Sequence, residues 1–271
     1  MATALITLSD AGVRLLAPLV DLLPEARLYV HESVRVLPFG GESSAERFAK
    51  IADLTKTLFP VCRGIVYAAP AGVVVRAVAP LLKSKFKDPA VVVIDAGGRW
   101  AVSLLSGHEG GANALSVRIA NIIGAEPVVT TTTEALKSVI VGIGCRRGTK
   151  ADRIVAAVRS ALDEAGVTLE EVRLLASADI KADEAGLLEA AEALDLPIRF
   201  LPAEEIRASA RDFAHSDYVE KKVNLPAVAE PAALLAGRRT QFIWRKRTYK
   251  GITIALAREA FSWSGSAPEG R

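Results

Sequence analysis

Residues 106–113 read Ser-Gly-His-Glu-Gly-Gly-Ala-Asn, directly after the apolar run Trp100–Leu105. Glycines at a strand-to-helix turn permit positive φ and let the backbone approach a ligand closely. The start of the helical pattern that follows, Gly111–Ile123, offers N–H groups without intrahelical acceptors, which suit a carboxylate or phosphate. His108, one of three histidines (His31, His108, His215), is a residue type that acts as a base near neutral pH. Glu109 either orients that imidazole or is the base itself. Ser106 is a nucleophile or an anion ligand. A lone histidine more often has a purely structural role; the crowding of Gly, His and Asn at a strand's carboxyl end tips the reading toward function. The catalytic candidates are therefore His108, Glu109 and Ser106. Gly107, Gly110, Gly111 and Asn113 are candidates for holding substrate.

A second stretch, Gly142-Ile-Gly-Cys-Arg-Arg-Gly-Thr149, repeats the arrangement and adds two arginines. Arginine is the usual partner of an oxyanion held at two points. The stretch is no Walker loop, because no Lys-Ser/Thr follows its last glycine, and its third glycine is misplaced for a dinucleotide fingerprint. Gly144, Arg146, Arg147 and Thr149 are read as anion-binding candidates, with a plain turn and solvated arginines as the equal alternative. Cys145 has a thiol of lowered pKa if the arginines act on it, but no histidine is near in sequence to activate it. Arg76 lies within an apolar helical pattern, where a guanidinium is either paired or aimed at a ligand.

These residues need a scaffold. The first half alternates strand-like runs (4–9, 27–31, 63–68, 90–95, 100–105, 127–133) with helical ones (13–23, 43–58, 71–82, 111–123). Ser43 or Ser44 is the expected cap of the 43–58 helix, and Ala96–Gly98 a hairpin turn. The pattern restarts after 134–138. Strands are expected at 139–144, 172–178 and 198–201, helices at 149–164, 183–194, 203–210 and 231–237, and a hairpin around a basic turn at 240–257. The order predicts an α/β protein of two domains, 1–136 and 137–271, with mostly parallel sheets, the second ending in an antiparallel hairpin. In such sheets ligands sit outside the carboxyl ends of strands, and the Ser106–Asn113 motif lies at one of those ends. The tail from Ser262 reads as frayed.

Composition narrows the function classes. With 34 basic and 31 acidic residues the net charge is +3, too small to argue for nucleic acid, and the basic run Arg238–Lys250 lacks a stacking pattern. Two distant cysteines, Cys62 and Cys145, make no disulfide framework and suggest a reducing cytoplasm. The amino terminus has no signal-peptide pattern and no stretch reads as a membrane span. The scattered histidines give no metal spacing, so no protein-bound metal is expected.

The stretch from Gly64 through Arg76–Pro80, Lys87-Asp-Pro-Ala-Val91 and Ser106-Gly-His-x-Gly-Gly-Ala-Asn113 to the Thr130–Thr133 run resembles the amino-terminal domain of the cobalamin biosynthesis protein G family. The stretches 139–154, 175–206 and 228–237 resemble that family's carboxyl-terminal domain. The resemblance implies a cobalt-precorrin-5A hydrolase of anaerobic cobalamin synthesis. Its substrate is a cobalt-bearing tetrapyrrole with acetate and propionate arms, one of which closes a δ-lactone. Water opens the lactone, and a meso carbon with its methyl leaves as acetaldehyde, giving cobalt-precorrin-5B. The cobalt belongs to the substrate, so no cofactor is implied. On this reading His108 or Glu109 is the base, the N–H groups of Gly110 and Gly111 stabilise the developing charge, and the arginines cradle carboxylates. The family's usual middle region is missing, since only Glu134–Ser138 lies between the two motif sets. A tetrapyrrole-binding protein without chemistry, or an α/β hydrolase of small metabolites, remain the alternatives; the oligomeric state, self-association included, stays open.

Overall fold

A computed structural model describes residues 3–23, 25–35, 45–210, 213, 225 and 227–260. Ser43, Ser44, His215 and the tail beyond Ala260 lie outside the described residues. The chain forms two compact units, Met1–Thr131 and Thr132–Arg271. Both are α/β, as the alternation of periods predicts.

The first unit contains β1 (Thr3–Thr7), α1 (Asp10–Leu22), β2 (Ala26–His31), β3 (Ala45–Phe48), α2 (Ile51–Leu58), β4 (Gly64–Ala68), α3 (Ala71–Val78), β5 (Ala90–Ile94), β6 (Trp100–Leu105), α4 (Ala112–Ile123) and β7 (Glu126–Val128). Its sheet has the order β3-β2-β1-β4-β5-β6-β7. β4 and β5 are buried along their whole length, which explains their unbroken apolar sequences, GIVYA and AVVVI. α1 buries Val13, Leu16 and Leu19 on one face, at the spacing that marks it in the sequence. The expected helix at 43–58 is shorter. Residues 45–48 instead extend the sheet, pairing in parallel with β2 from Leu28↔Ala45 to His31↔Phe48, and the helix starts after Lys50. The Arg47 guanidinium fastens this edge strand by donating to the carbonyl of Val34 at 3.0 Å.

Strand direction matters for the site. β1 to β5 are mutually parallel, whereas β6 is antiparallel to β5 and β7 follows β6. The reversal is made at Asp95, whose carboxylate accepts the N–H groups of Gly97 (3.2 Å), Arg99 (2.7 Å) and Trp100 (2.8 Å).

The second unit contains α5 (Thr132–Ala135), β8 (Val139–Gly144), α6 (Ala151–Ala165), β9 (Val172–Ala178), α7 (Ala185–Ala193), β10 (Ile198–Leu201), α8 (Ala203–Ala208), α9 (Ala229–Leu235), β11 (Thr240–Tyr249) and β12 (Ile252–Glu259). α5 takes residues from the end of the strand expected at 127–133, of which only Pro127 and Val128 pair with β6. The order is β10-β9-β8-β12-β11, with β8–β10 parallel and β12 antiparallel to both β8 and β11. Val141, Ile143, Leu175 and Leu256 pack with Ile154, Val158 and Leu187 from the helices into one core. Among the described residues, no helix is long and apolar enough to cross a membrane.

Candidate functional site

β6 leads into α4 through the turn Ser106–Gly111. Ser106 takes a positive φ of 57°, and its carbonyl accepts the N–H groups of Gly110 (3.1 Å) and Ala112 (3.2 Å). A Cβ on Gly110 would lie 2.4 Å from the Ser106 Cβ and 2.9 Å from its carbonyl oxygen, so the turn closes only with glycine there. Gly111 enters α4 at φ 85°. Asn113 locks the turn from behind. Its N–H donates to the Gly107 carbonyl (2.9 Å), its Oδ1 accepts the Ser103 hydroxyl (2.8 Å), and its Nδ2 donates to Thr131 Oγ1 (2.7 Å).

This geometry revises several expectations. The Gly110 N–H, expected to meet a developing oxyanion, is already spent on the Ser106 carbonyl, while the Gly111 N–H has no backbone acceptor among the described residues. Asn113, expected to hold substrate, has both ends of its amide engaged within the protein. Ser106, a candidate nucleophile or anion ligand, is 7% exposed, and its hydroxyl is buried without a hydrogen-bond partner among the described residues. A nucleophile needs a base on its hydroxyl and access to solvent, and Ser106 has neither. It instead carries two unrelieved costs, a left-handed backbone and an unpaired buried hydroxyl, of about 1 kcal/mol each.

His108 and Glu109 project from the crest of the turn, both exposed. Lys85 forms an ion pair with Glu109, and that hydrogen bond holds the Glu109 carboxyl below the usual carboxylate range. Lys85 belongs to a loop that sequence reasoning did not place at the site, although Lys87–Val91 was among the motif residues. The buried Asp88 shapes this loop, its carboxylate accepting the N–H groups of Lys83 and Ser84 at 3.1 Å. The signal was a carboxylate just before a strand in a lysine-rich segment, which reads as solvated without tertiary information.

The turn lies at the carboxyl end of β6, as expected. Because β6 is reversed, however, Leu105 pairs with Val91 at the start of β5, so the turn sits at the amino-terminal edge of β1–β5. Arg76 belongs to the other edge. It is exposed, and its Nη1 reaches back to donate to the Gly72 carbonyl at 2.9 Å, beside the carboxyl end of β4. A strand the length of β5 separates the two edges by about 16 Å, so Arg76 is not brought to the turn.

The second loop follows β8 at the carboxyl edge of the parallel strands of its own unit. Arg146 and Arg147 are exposed. Arg147 is paired with Asp183 (2.9 Å) and donates to the Ile180 carbonyl (3.2 Å). The Thr149 hydroxyl closes the loop by donating to the Arg146 carbonyl (2.7 Å), and the Gly148 N–H is taken by the buried Glu184 carboxylate (2.7 Å). Gly144 ends β8 opposite Thr253. Burial pushes the Cys145 thiol up, the reverse of the lowering expected from its arginine neighbours. Arg146, Arg147 and Thr149 line a pocket of about 220 Å³ together with Arg153, Lys250 and Gly251. Among the described residues, no cluster of three or more His, Cys, Asp or Glu side chains is arranged to hold a metal ion.

Comparison with known proteins places these loops in context. Residues 53–134 match the family described as "Cobalamin synthesis G N-terminal", and residues 139–257 match "Cobalamin synthesis G C-terminus". The "Cobalt-precorrin-5A hydrolase" of Salmonella typhimurium is 26% identical, with 93% of this chain and 96% of that protein covered. That alignment spans 348 positions against 271 residues here, so the relative carries sequence that this chain lacks. "Protein CobE" of Sinorhizobium sp. is 38% identical over 46% of this chain and 83% of that protein. A crystal structure of CobE, described as a protein from the cobalamin (vitamin B12) biosynthetic pathway, covers 45% of this chain and 92% of its own, at 37% identity and a TM-score of 0.42.

Proposed function

Because the chain belongs to the cobalamin biosynthesis protein G family, we propose that it is a cobalt-precorrin-5A hydrolase. In this reading water attacks the lactone carbonyl of the macrocycle while His108 accepts its proton. The carbonyl oxygen gains the negative charge, with the Gly111 N–H as the backbone donor still available to it. Collapse expels the alkyl oxygen, which takes a proton, leaving a free acetate arm and a hydroxyl on the methyl-bearing meso carbon. Loss of that hydroxyl proton with cleavage of the carbon–carbon bond releases acetaldehyde and returns the electron pair to the macrocycle, giving cobalt-precorrin-5B. The cobalt travels with the substrate, and no cofactor of the protein takes part.

The observation that carries this assignment of roles is the division of labour at the crest of the turn. Glu109 is held ionised by Lys85, and a carboxylate of lowered pKa is a poor base at neutral pH. The exposed imidazole beside it makes no competing hydrogen bond among the described residues. Ser106 is a positioning residue, whose Cβ beneath Gly110 stiffens the turn that presents His108. The anion-binding role remains with Arg146 and Arg147.

The sequence that the Salmonella relative has and this chain lacks favours one second reading, a tetrapyrrole-binding protein without chemistry. The deciding assay is acetaldehyde release from anaerobically prepared cobalt-precorrin-5A by wild type and His108→Ala. Release by wild type alone supports the assignment. Release by both removes His108 from the mechanism. A folded wild type that binds the macrocycle and releases nothing is the carrier.

A further inference from the structure

The pocket of the second unit is built from two stretches far apart in sequence, 146–153 and 250–252. Arg146 and Arg147 come from the loop after β8, Arg153 from the first turn of α6, and Lys250 from the turn between β11 and β12. Pairing of β12 with β8, Thr253 opposite Gly144, brings the hairpin turn to the carboxyl end of β8. Arg153 Nη2 then donates to the Lys250 carbonyl at 2.6 Å, tying the turn to the helix.

The charges do not cancel. Asp183 is paired with Arg147, and Glu184 is taken up by the Gly148 N–H and by Lys181 at 3.7 Å. Asp152, in the first turn of α6, accepts the N–H of Arg153. The side chains of Arg146 and Lys250 have no carboxylate partner among the described residues.

Lys250 is also an unusual residue for its place. Tyr249 pairs with Ile252, so the hairpin has a two-residue loop, with φ 48° at Lys250 and 89° at Gly251. Such a loop favours Asn, Asp or Gly at its first position, because a long side chain gains nothing there and strains the backbone. A lysine kept in that position adds a fourth basic residue to a pocket whose lining already includes Arg146, Arg147 and Arg153.

We propose that Lys250 and Arg146 form a two-point clamp for oxyanion groups, and that the ligand is a pair of carboxylate arms on a polycarboxylate macrocycle. The identity of the ligand rests on the hydrolase-family reading; the clamp itself does not. The chemistry it shares with other ligands is two oxyanion groups close together, which inorganic pyrophosphate also provides.

The test uses the full chain and measures binding calorimetrically at low salt. The probes are cobyrinic acid, a corrin with free carboxylate arms, its fully esterified form, and inorganic pyrophosphate. Lys250→Asn places a residue suited to the turn, so its melting temperature is expected to equal or exceed that of wild type. Its affinity for the free acid is expected to fall about fivefold, the loss of one half-exposed ion pair. Lys250→Asn with Arg146→Gln is expected to lose about 25-fold if the two contacts act independently, with the gap narrowing as salt is added. The ester is expected not to bind comparably. Unchanged affinity in the double variant, no binding of the free acid by wild type, or tighter binding of pyrophosphate than of the acid would each overturn the proposal. Charge-dependent binding without acetaldehyde release would leave the clamp standing and remove only the hydrolase reading.

Discussion

Ser106→Gly is expected to make the protein more stable and less active. Serine at φ 57° carries a left-handed backbone cost of about 1 kcal/mol that glycine avoids. Its hydroxyl is buried without a partner among the described residues, and removing such a group returns at least about 1 kcal/mol. Against these stands the loss of one buried methylene, about 0.8 kcal/mol. The balance is a stabilisation of about 1 kcal/mol. With an unfolding entropy of about 2.1 cal/mol/K per residue over a unit of about 131 residues, the midpoint rises by about 4 °C. Differential scanning calorimetry and urea titration read the change. Glycine beside Gly107 also frees the turn to wander, so fewer molecules present His108 correctly. The rate of acetaldehyde release is expected to fall about tenfold with KM little changed, the usual exchange of activity for stability at a strained site. A variant that unfolds earlier than wild type would refute the accounting, and one that is equally active would refute the positioning role.

Two further outcomes follow from side-chain hydrogen bonds. Asn113→Ala removes both side-chain bonds that lock the turn and strands the hydroxyls of Ser103 and Thr131; urea unfolding is expected to show a loss of about 2 kcal/mol. Tyr67 is fully buried, and burial pushes its phenol up to about 12, with its hydroxyl 2.9 Å from Thr55 Oγ1. Its neutral form is therefore favoured in the folded state. The stability this contributes is complete below pH 10, the unfolded value, and is lost as pH rises through about 12. Comparison of wild type with Tyr67→Phe between pH 9 and 12 is expected to isolate a loss of about 2–3 kcal/mol; parallel curves would count against it.

Much of this architecture was legible in local sequence. The runs at 63–68 and 90–95 read as strands, the second as one buried on both faces, and the helical spacing of Val13, Leu16 and Leu19 marks α1, because periodicity reports burial directly. The short edge strand at 45–48 was not legible. Its four residues, AERF, gain their state from a neighbouring strand's hydrogen bonds rather than from their own propensity. The shared motifs of the two family halves were equally plain, and so was the strand–turn–helix character of Ser106–Gly111.

The sequence by itself determined the alternation of elements, the family and the two loops where chemistry is offered. The tertiary structure decided which groups in those loops remain available. Whether an N–H is free depends on what the turn closes upon, and at Gly110 it closes upon the Ser106 carbonyl. The Asp95 hairpin announces that β6 reverses, but which edge of the sheet then carries His108, and that Arg76 lies at the other, depends on the order and direction of all the strands together. Lys250 lines the same pocket as Arg146 only because β12 pairs with β8 across about a hundred residues of chain. Local periodicity records which side of an element is buried. It holds no record of what lies opposite, since that is set by long-range pairing.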